Sequence, residues 1–233
     1  SIIFVCLPTP MRKSGKCDTR IVDSAVLEIN KIAQKIDRKE TVVVIKSTVP
    51  PGTTDRLSKE CKNIKVTFSP EFLTEANSFD DFKNQSRIII GGSGAKKVKQ
   101  MFRKPFPNIP IVITKSKTAE MVKYFINCFL ASKVIFANQM YDICESTGID
   151  YDKVCEYALL DKRIGPSHLA VPGPDGDKGF GGHCFPKDLS AMVCYASEFL
   201  VDATFLKQVS KSNSLYRENK DWTRMIGRAV SED

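Results

Sequence analysis

Histidine is nearly missing from this chain of 233 residues, which carries only His168 and His183. Its eight cysteines form no C-x-x-C pair, so the ligand spacing of a structural zinc site is absent and no metal is expected. No apolar run approaches the roughly 20 residues that a helix needs to cross a bilayer. Apolar runs such as Thr41–Ile45 and Ile88–Ile90 are strand-length, which excludes a helical membrane anchor within them. The sequence opens on strand-like residues, Ile2–Leu7, with no basic and apolar leader pattern. Cys128, Cys144 and Cys155 fall on apolar faces, where a thiol packs as a small hydrophobe. The thiols therefore read as reduced, and the protein as soluble and cytoplasmic. Repeats and low-complexity tracts are also lacking.

What is present is the composition of a folded protein. Hydrophobic residues make up 42% and charged residues 27%, which excludes intrinsic disorder, and the length suffices for a sizeable core. Lys and Arg number 35 against 27 Asp and Glu, a net charge of +8. The basic residues are interspersed with acidic ones and build no stripe. That pattern suits a solvated basic surface, or an anionic small-molecule ligand, and argues against nucleic acid as a partner.

Along the chain, strand-like runs at Ile2–Leu7, Thr41–Lys46, Ile64–Phe68, Arg87–Ile90 and Ile109–Ile113 alternate with helical patterning. Asp18 is placed to cap a first helix, in which Ile21, Val22, Ala25, Val26, Ile29, Ala33 and Ile36 recur at helical spacing. Short helices are predicted near Thr54–Lys62 and Ala95–Phe102. Strands alternating with helices predict an α/β fold with a parallel sheet covered on its faces. After Lys115 the pattern becomes all-helical: one long helix from Thr118 to about Ser146, ended by Gly148, and another over Tyr151–Leu160. The stretch from Gly165 to Cys184 holds six glycines and three prolines, too many for regular structure. Helical patterning resumes at Asp188. No G-x-G-x-x-G precedes the first strand, so the phosphate-binding turn of a dinucleotide domain is not within this sequence.

The strongest chemical signal is Gly179-Phe180-Gly181-Gly182-His183-Cys184-Phe185-Pro186-Lys187-Asp188. Glycines without side chains let a ligand reach the backbone. Cys184 lies just ahead of the predicted helix start, where the backbone N–H groups and the helix dipole favour a thiolate, and Lys187 adds positive charge. Cys184 is the candidate nucleophile. A dyad with His183 is disfavoured, because adjacent side chains seldom face one another. Glu71 and Glu75 follow a strand, where carboxylates of an open sheet face the ligand crevice, although glutamates four apart also suit a solvated helix face. Lys123 and Asn127 stand one turn apart on the long helix and could either share a ligand-facing side or merely snorkel.

Taken in order, several segments resemble the nucleotide-sugar (UDP-glucose/GDP-mannose) dehydrogenase family. They are Cys6–Pro10, Ser47–Thr53, Ser69–Glu75, Glu120–Asn127, Asp161–Gly165 and the block Gly179–Asp188, together spanning almost the whole chain. The resemblance implies NAD-dependent, four-electron oxidation of UDP-glucose to UDP-glucuronate through a cysteine thiohemiacetal and thioester. GDP-mannose and UDP-N-acetylhexosamines are the alternative substrates, and a non-catalytic dimerising core is the alternative of a different class. It implies that Cys184 attacks the aldehyde-level intermediate. Lys123 and Asn127 would stabilise the C6 oxygen, Asp188 would assist proton transfer, and Glu71 and Thr48 would activate water. Phe72, Leu73, Phe180 and Gly181 would line the substrate site, and Arg163 would reach the substrate of the neighbouring subunit. Thr9, Ser47, Thr48, Glu75 and Lys187 would hold NAD. A homodimer through the central helices is implied as well. On this resemblance residues 1–115 are the later part of a Rossmann-type NAD-binding domain and residues 116–212 a central helical dimerisation region. Residues 213–233 would begin a nucleotide-sugar-binding domain, so that the sequence lacks the Gly-rich opening unit and most of that last domain.

Overall fold

The computed structural model describes residues 1–37, 40–73 and 77–232, which divide into two compact units. The first holds residues 1–10 and 17–125, the second residues 11–16 and 126–233. The first is built on five strands, β1 (Ile2–Val5), β2 (Val42–Ile45), β3 (Lys65–Phe68), β4 (Ile88–Gly92) and β5 (Ile111–Thr114), which lie side by side in chain order. Helices α1 (Arg20–Lys35) and α2 (Thr53–Glu60) connect β1 to β2 and β2 to β3, and α4 (Ala95–Arg103) connects β4 to β5, so each of these pairs is parallel.

Alternation along β2 shows how the sheet is covered. Val43 and Ile45 pack with Val22 and Val26 of α1 and Leu57 of α2, whereas Val42 and Val44 pack with Val98 and Phe102 of α4. Both faces of β2 are buried, and so this strand reads in sequence as an unbroken apolar run.

One pair departs from the expected parallel sheet: β3 and β4 are antiparallel, with Thr67 opposite Gly92 and Phe68 opposite Gly91. A parallel return needs a packed crossover helix. Among its described residues, the segment joining β3 to β4 offers only α3 (Ser78–Lys83), which buries none of its residues. The expected cap also differs. Thr19, not Asp18, occupies the N-cap of α1, and Asp18 instead accepts from the Arg20 N–H (3.1 Å) and pairs with its guanidinium (2.6 Å).

Glu120 shapes the loop after β2. Gly52, at φ +105°, precedes α2 and has no side chain with which to cap it. Its N–H and that of Thr54 donate instead to the two oxygens of the fully buried Glu120 carboxylate, at 2.6 and 2.8 Å. Burial pushes this carboxyl upward, and the donated hydrogen bonds pull it the other way.

Helix α5 runs from Ser116 to Thr147, 32 residues or about 48 Å at 1.5 Å per residue, slightly longer than the periodicity predicts. It closes where Ile149 N–H donates to Cys144 O (2.9 Å). The second unit adds α6 (Tyr151–Ala158), α7 (Cys184–Glu198), α8 (Thr204–Tyr216) and a 3-10 turn at Asp221–Arg224. Its core gathers Cys128, Ala131 and Ile135 of α5 with Phe180, Leu189 of α7 and Val209 of α8. Residues 11–16 belong here as well. Met11 exchanges backbone hydrogen bonds with Ala229 and Ser231 (2.7 and 2.8 Å), and Lys16 pairs with Glu198 (2.8 Å).

Candidate active site

Helix α7 begins at Cys184 itself, four residues earlier than the sequence patterning suggests, with His183 at the N-cap. The half-buried thiol therefore sits in the first turn, among N–H groups that have no intrahelical acceptor. One turn on, Asp188 is only 1% exposed. Its Oδ1 accepts from Lys187 Nζ (2.5 Å) and its Oδ2 from Asn127 Nδ2 on α5 (2.6 Å). A buried carboxylate costs free energy unless paired and hydrogen-bonded, and both oxygens here are engaged. Cys128, beside Asn127 in sequence, differs from Cys184 in kind. Burial, reinforced by the Asp188 charge, pushes its thiol up to about 12, so it stays protonated and inert.

Phe180 and Gly181 lie in the glycine-rich turn before α7. Phe180 is buried and meets Phe185 edge-on, with ring centroids 5.8 Å apart. Arg163 is exposed and pairs with Asp161 two residues back (2.5 Å).

In the first unit, the carboxyl ends of β1 to β3 collect a second set of predicted residues. Thr9 Oγ1 donates to the Thr48 carbonyl (2.8 Å), and Ser47 Oγ accepts from the Leu7 N–H (2.9 Å). Ser69, just past β3, is fully buried and its hydroxyl has no hydrogen-bond partner among the described residues. An orphaned hydroxyl beside Thr9, Ser47 and Thr48 at strand carboxyl ends is donor chemistry that fits a dinucleotide. Phe72 lies beneath two cations, Arg87 Cζ at 4.2 Å and the buried Lys123 Nζ at 5.9 Å from its ring centroid. Leu73 is half-buried and Glu71 exposed. Glu75 lies outside the described residues.

Lys46 is the residue here that sequence reasoning overlooked. It closes the otherwise apolar β2 run, and its Nζ turns inward to donate to the Pro70 carbonyl (3.1 Å). A lone lysine after Val-Val-Val-Ile was the available signal. Burial pulls its ammonium down to about 8; Glu71 and Cys6 resist this and Lys123 adds to it. The unfolded chain then holds one more proton than the native chain between about pH 8 and 10.5. Native stability therefore rises with pH across that window, and a cost of about 3 kcal/mol is present in full below it. Lys46→Met is expected to remove that cost. Its advantage over the unaltered chain in urea unfolding should shrink by about 3 kcal/mol from neutral pH to about pH 10.5. A difference independent of pH would show that the ammonium is not buried.

Residues 1–106 match the NAD binding domain of the UDP-glucose/GDP-mannose dehydrogenase family, and residues 117–215 match the family's central domain. The chain belongs to this family. It is 35% identical over 226 residues to the UDP-glucose 6-dehydrogenase of Rickettsia prowazekii, covering 93% of this chain and 50% of that protein. With the UDP-glucose 6-dehydrogenase YwqF of Bacillus subtilis it shares 38% identity over 223 residues, 91% of this chain and 48% of that one. Among solved structures, the UDP-glucose dehydrogenase of the archaeon Pyrobaculum islandicum superposes with a TM-score of 0.81 at 32% identity, covering 92% of this chain and 50% of that chain. The GDP-mannose dehydrogenase of Pseudomonas aeruginosa superposes with a TM-score of 0.62 at 28% identity, over 93% and 51% of the two chains. The family member described here thus spans about half the length of the curated relatives it matches.

Proposed function

We propose that the protein carrying this chain is an NAD-dependent UDP-glucose 6-dehydrogenase that converts the sugar C6 alcohol to a carboxylate. The observation that carries this reading is the buried Asn127–Asp188–Lys187 network in the first turns of the helix that Cys184 opens. Bound NAD supplies the acceptor for the two hydrides that a four-electron oxidation removes, one per cofactor molecule. Thr9, Ser47, Thr48, Glu75 and Lys187 are the residues proposed to hold it, and Phe72, Leu73, Phe180 and Gly181 those that line the sugar site.

At the aldehyde level, the Cys184 thiolate adds to C6. A C–S bond forms, and the carbonyl electron pair moves onto oxygen, where Lys123 and Asn127 stabilise it until it is protonated. Loss of the second hydride from that carbon leaves a thioester. Water oriented by Glu71 and Thr48 attacks it, the C–S bond breaks, and sulfur departs as thiolate. Asp188, through its hydrogen-bonded partners, takes part in moving the protons. The balance is one UDP-glucose, two NAD and one water giving one UDP-glucuronate, two NADH and three protons.

Phe125, Phe129, Phe136 and Ile143 form an exposed apolar stripe along α5, with Phe125 at 70% and Phe136 at 61%. An apolar stripe of this kind supports a homodimer through the central helices, in which Arg163 would serve the neighbouring subunit's substrate. The domain division proposed is 1–115, 116–212 and 213–233. No described helix is long and apolar enough to cross a membrane. The place proposed for the protein is the cytoplasm.

The test is NADH formation by the whole protein with UDP-glucose, GDP-mannose and a UDP-N-acetylhexosamine. UDP-glucose is expected to lead in kcat/KM by about tenfold or more and to yield two NADH per sugar. A preference for GDP-mannose would overturn the substrate, and a yield of one NADH would overturn the four-electron course.

A further inference from the structure

The glycine-rich turn before Cys184 is held at four backbone groups by side chains far away in sequence. Gly179 N–H donates to Asn138 Oδ1 on α5 (3.1 Å). Asn213, in the last turn of α8, brackets the next residue: its Oδ1 accepts from Phe180 N–H (2.7 Å) and its Nδ2 donates to Phe180 O (2.9 Å). Gly182 N–H donates to Asp221 Oδ2 (2.9 Å). Between them Gly181 leaves no room for a side chain, because a Cβ there would collide with the Arg217 guanidinium and the Asp221 carboxylate.

Arg217 is the centre of this clamp. Its side chain is 2% exposed and faces three carboxylates, Asp175 at 2.6 Å, Asp221 at 3.5 Å and Asp177 at 3.7 Å, while its Nε donates to Asn219 O (2.9 Å). A buried guanidinium requires such partners. Here the partners come from the loop before the turn and from the 3-10 turn after α8. The turn is gripped from both sides, and only His183 separates its last clamped residue from Cys184.

We propose that Asn213 and Arg217 are positioning residues for Cys184: by fixing the Phe180–Gly182 backbone they hold the first turn of α7 formed around the thiol. This rests on the reading of Cys184 as the nucleophile. A thiolate gains from a helix N-terminus only while the first-turn N–H groups point at it, so a loosened turn leaves a less ionised and slower thiol. Asn213 is uncharged, so replacing it alters geometry without altering any charge near the sulfur.

The test is the rate of iodoacetamide modification of Cys184 in the full chain, read by mass spectrometry against the exposed Cys6 in the same molecules. In the unaltered chain Cys184 is expected to react faster than Cys6. Asn213→Ala is expected to slow Cys184 about fivefold, leave Cys6 unchanged, and speed amide exchange at Phe180. Asn213→Ser, which keeps a shorter donor and acceptor and adds no charge, should recover part of the rate. Should Asn213→Ala fail to fold, Asp175→Asn at the exposed rim frees one side of Arg217 and is expected to slow Cys184 in the same sense. Fast modification that persists in a folded variant whose Phe180 amide exchanges freely would overturn the positioning role alone. Cys184 reacting no faster than Cys6 in the unaltered chain would overturn the nucleophile assignment, and the positioning role with it.

Discussion

Replacing Cys184 with serine is expected to cut UDP-glucuronate formation by the whole protein roughly 10³-fold or more, the scale on which loss of a catalytic nucleophile acts. A hydroxyl is a far weaker acid than a thiol, and an ester leaves its alkoxide far less readily than a thioester its thiolate. On the proposed course the first hydride transfer does not require sulfur. The variant should therefore still bind UDP-glucose, and any turnover that remains should stop short of the acid. Cys194, on the same helix, provides the control. Its thiol is raised mainly by burial, and Cys194→Ala should retain most of the activity. Chromatographic measurement of the acid decides the matter, since wild-type yields from the serine variant are incompatible with covalent catalysis here.

Replacing Glu120 with alanine is expected to cost about 3 kcal/mol in the unfolding free energy of this chain. The carboxylate caps α2 from a helix more than sixty residues further on, accepting from Gly52 and Thr54 in a fully buried place. Truncation strands the buried Thr54 N–H and leaves the half-buried Gly52 N–H without its acceptor, and an orphaned buried donor costs on the order of 1–3 kcal/mol. Glutamine keeps one acceptor oxygen and should lose about half as much. Urea titration of the two variants measures this directly, and a loss below about 1 kcal/mol in the alanine variant would mean that water or a shifted backbone satisfies the donors. The same carboxylate secures the loop after Ser47 and Thr48, so its loss should reach cofactor binding as well as stability.

The βα alternation was legible because strands buried on both faces appear as short apolar runs, as Val42–Ile45 does, and because α1 shows its buried side at helical spacing. The antiparallel β3–β4 pair was not. Its cause is the lack of a packed crossover, and α3 buries nothing that a periodicity could reveal. The start of α7 was misread for a local reason. Pro186 and the preceding glycines look like breakers, yet proline in the first turn removes an N–H that has no intrahelical acceptor anyway. That correction places Cys184 inside the helix rather than ahead of it. Asn127 and Asp188 were singled out by motif, and the structure joins them by a direct hydrogen bond across 61 residues. Lys46, Asn213 and Arg217 were missed because their partners are backbone groups and carboxylates brought together only by the fold, for which no spacing rule exists.

The strip from Met11 to Lys16 bears on how the molecule is made. It emerges among the earliest residues of this sequence, yet its backbone partners are Ala229 and Ser231, more than two hundred positions later. Pro10 O and Asp18 N–H, 2.8 Å apart, close the base of the excursion, so the first unit can form its sheet with those six residues left out. On the ribosome Met11 must wait for these two partners until residue 231 has been synthesised, and their pairing belongs among the last and slowest contacts to form.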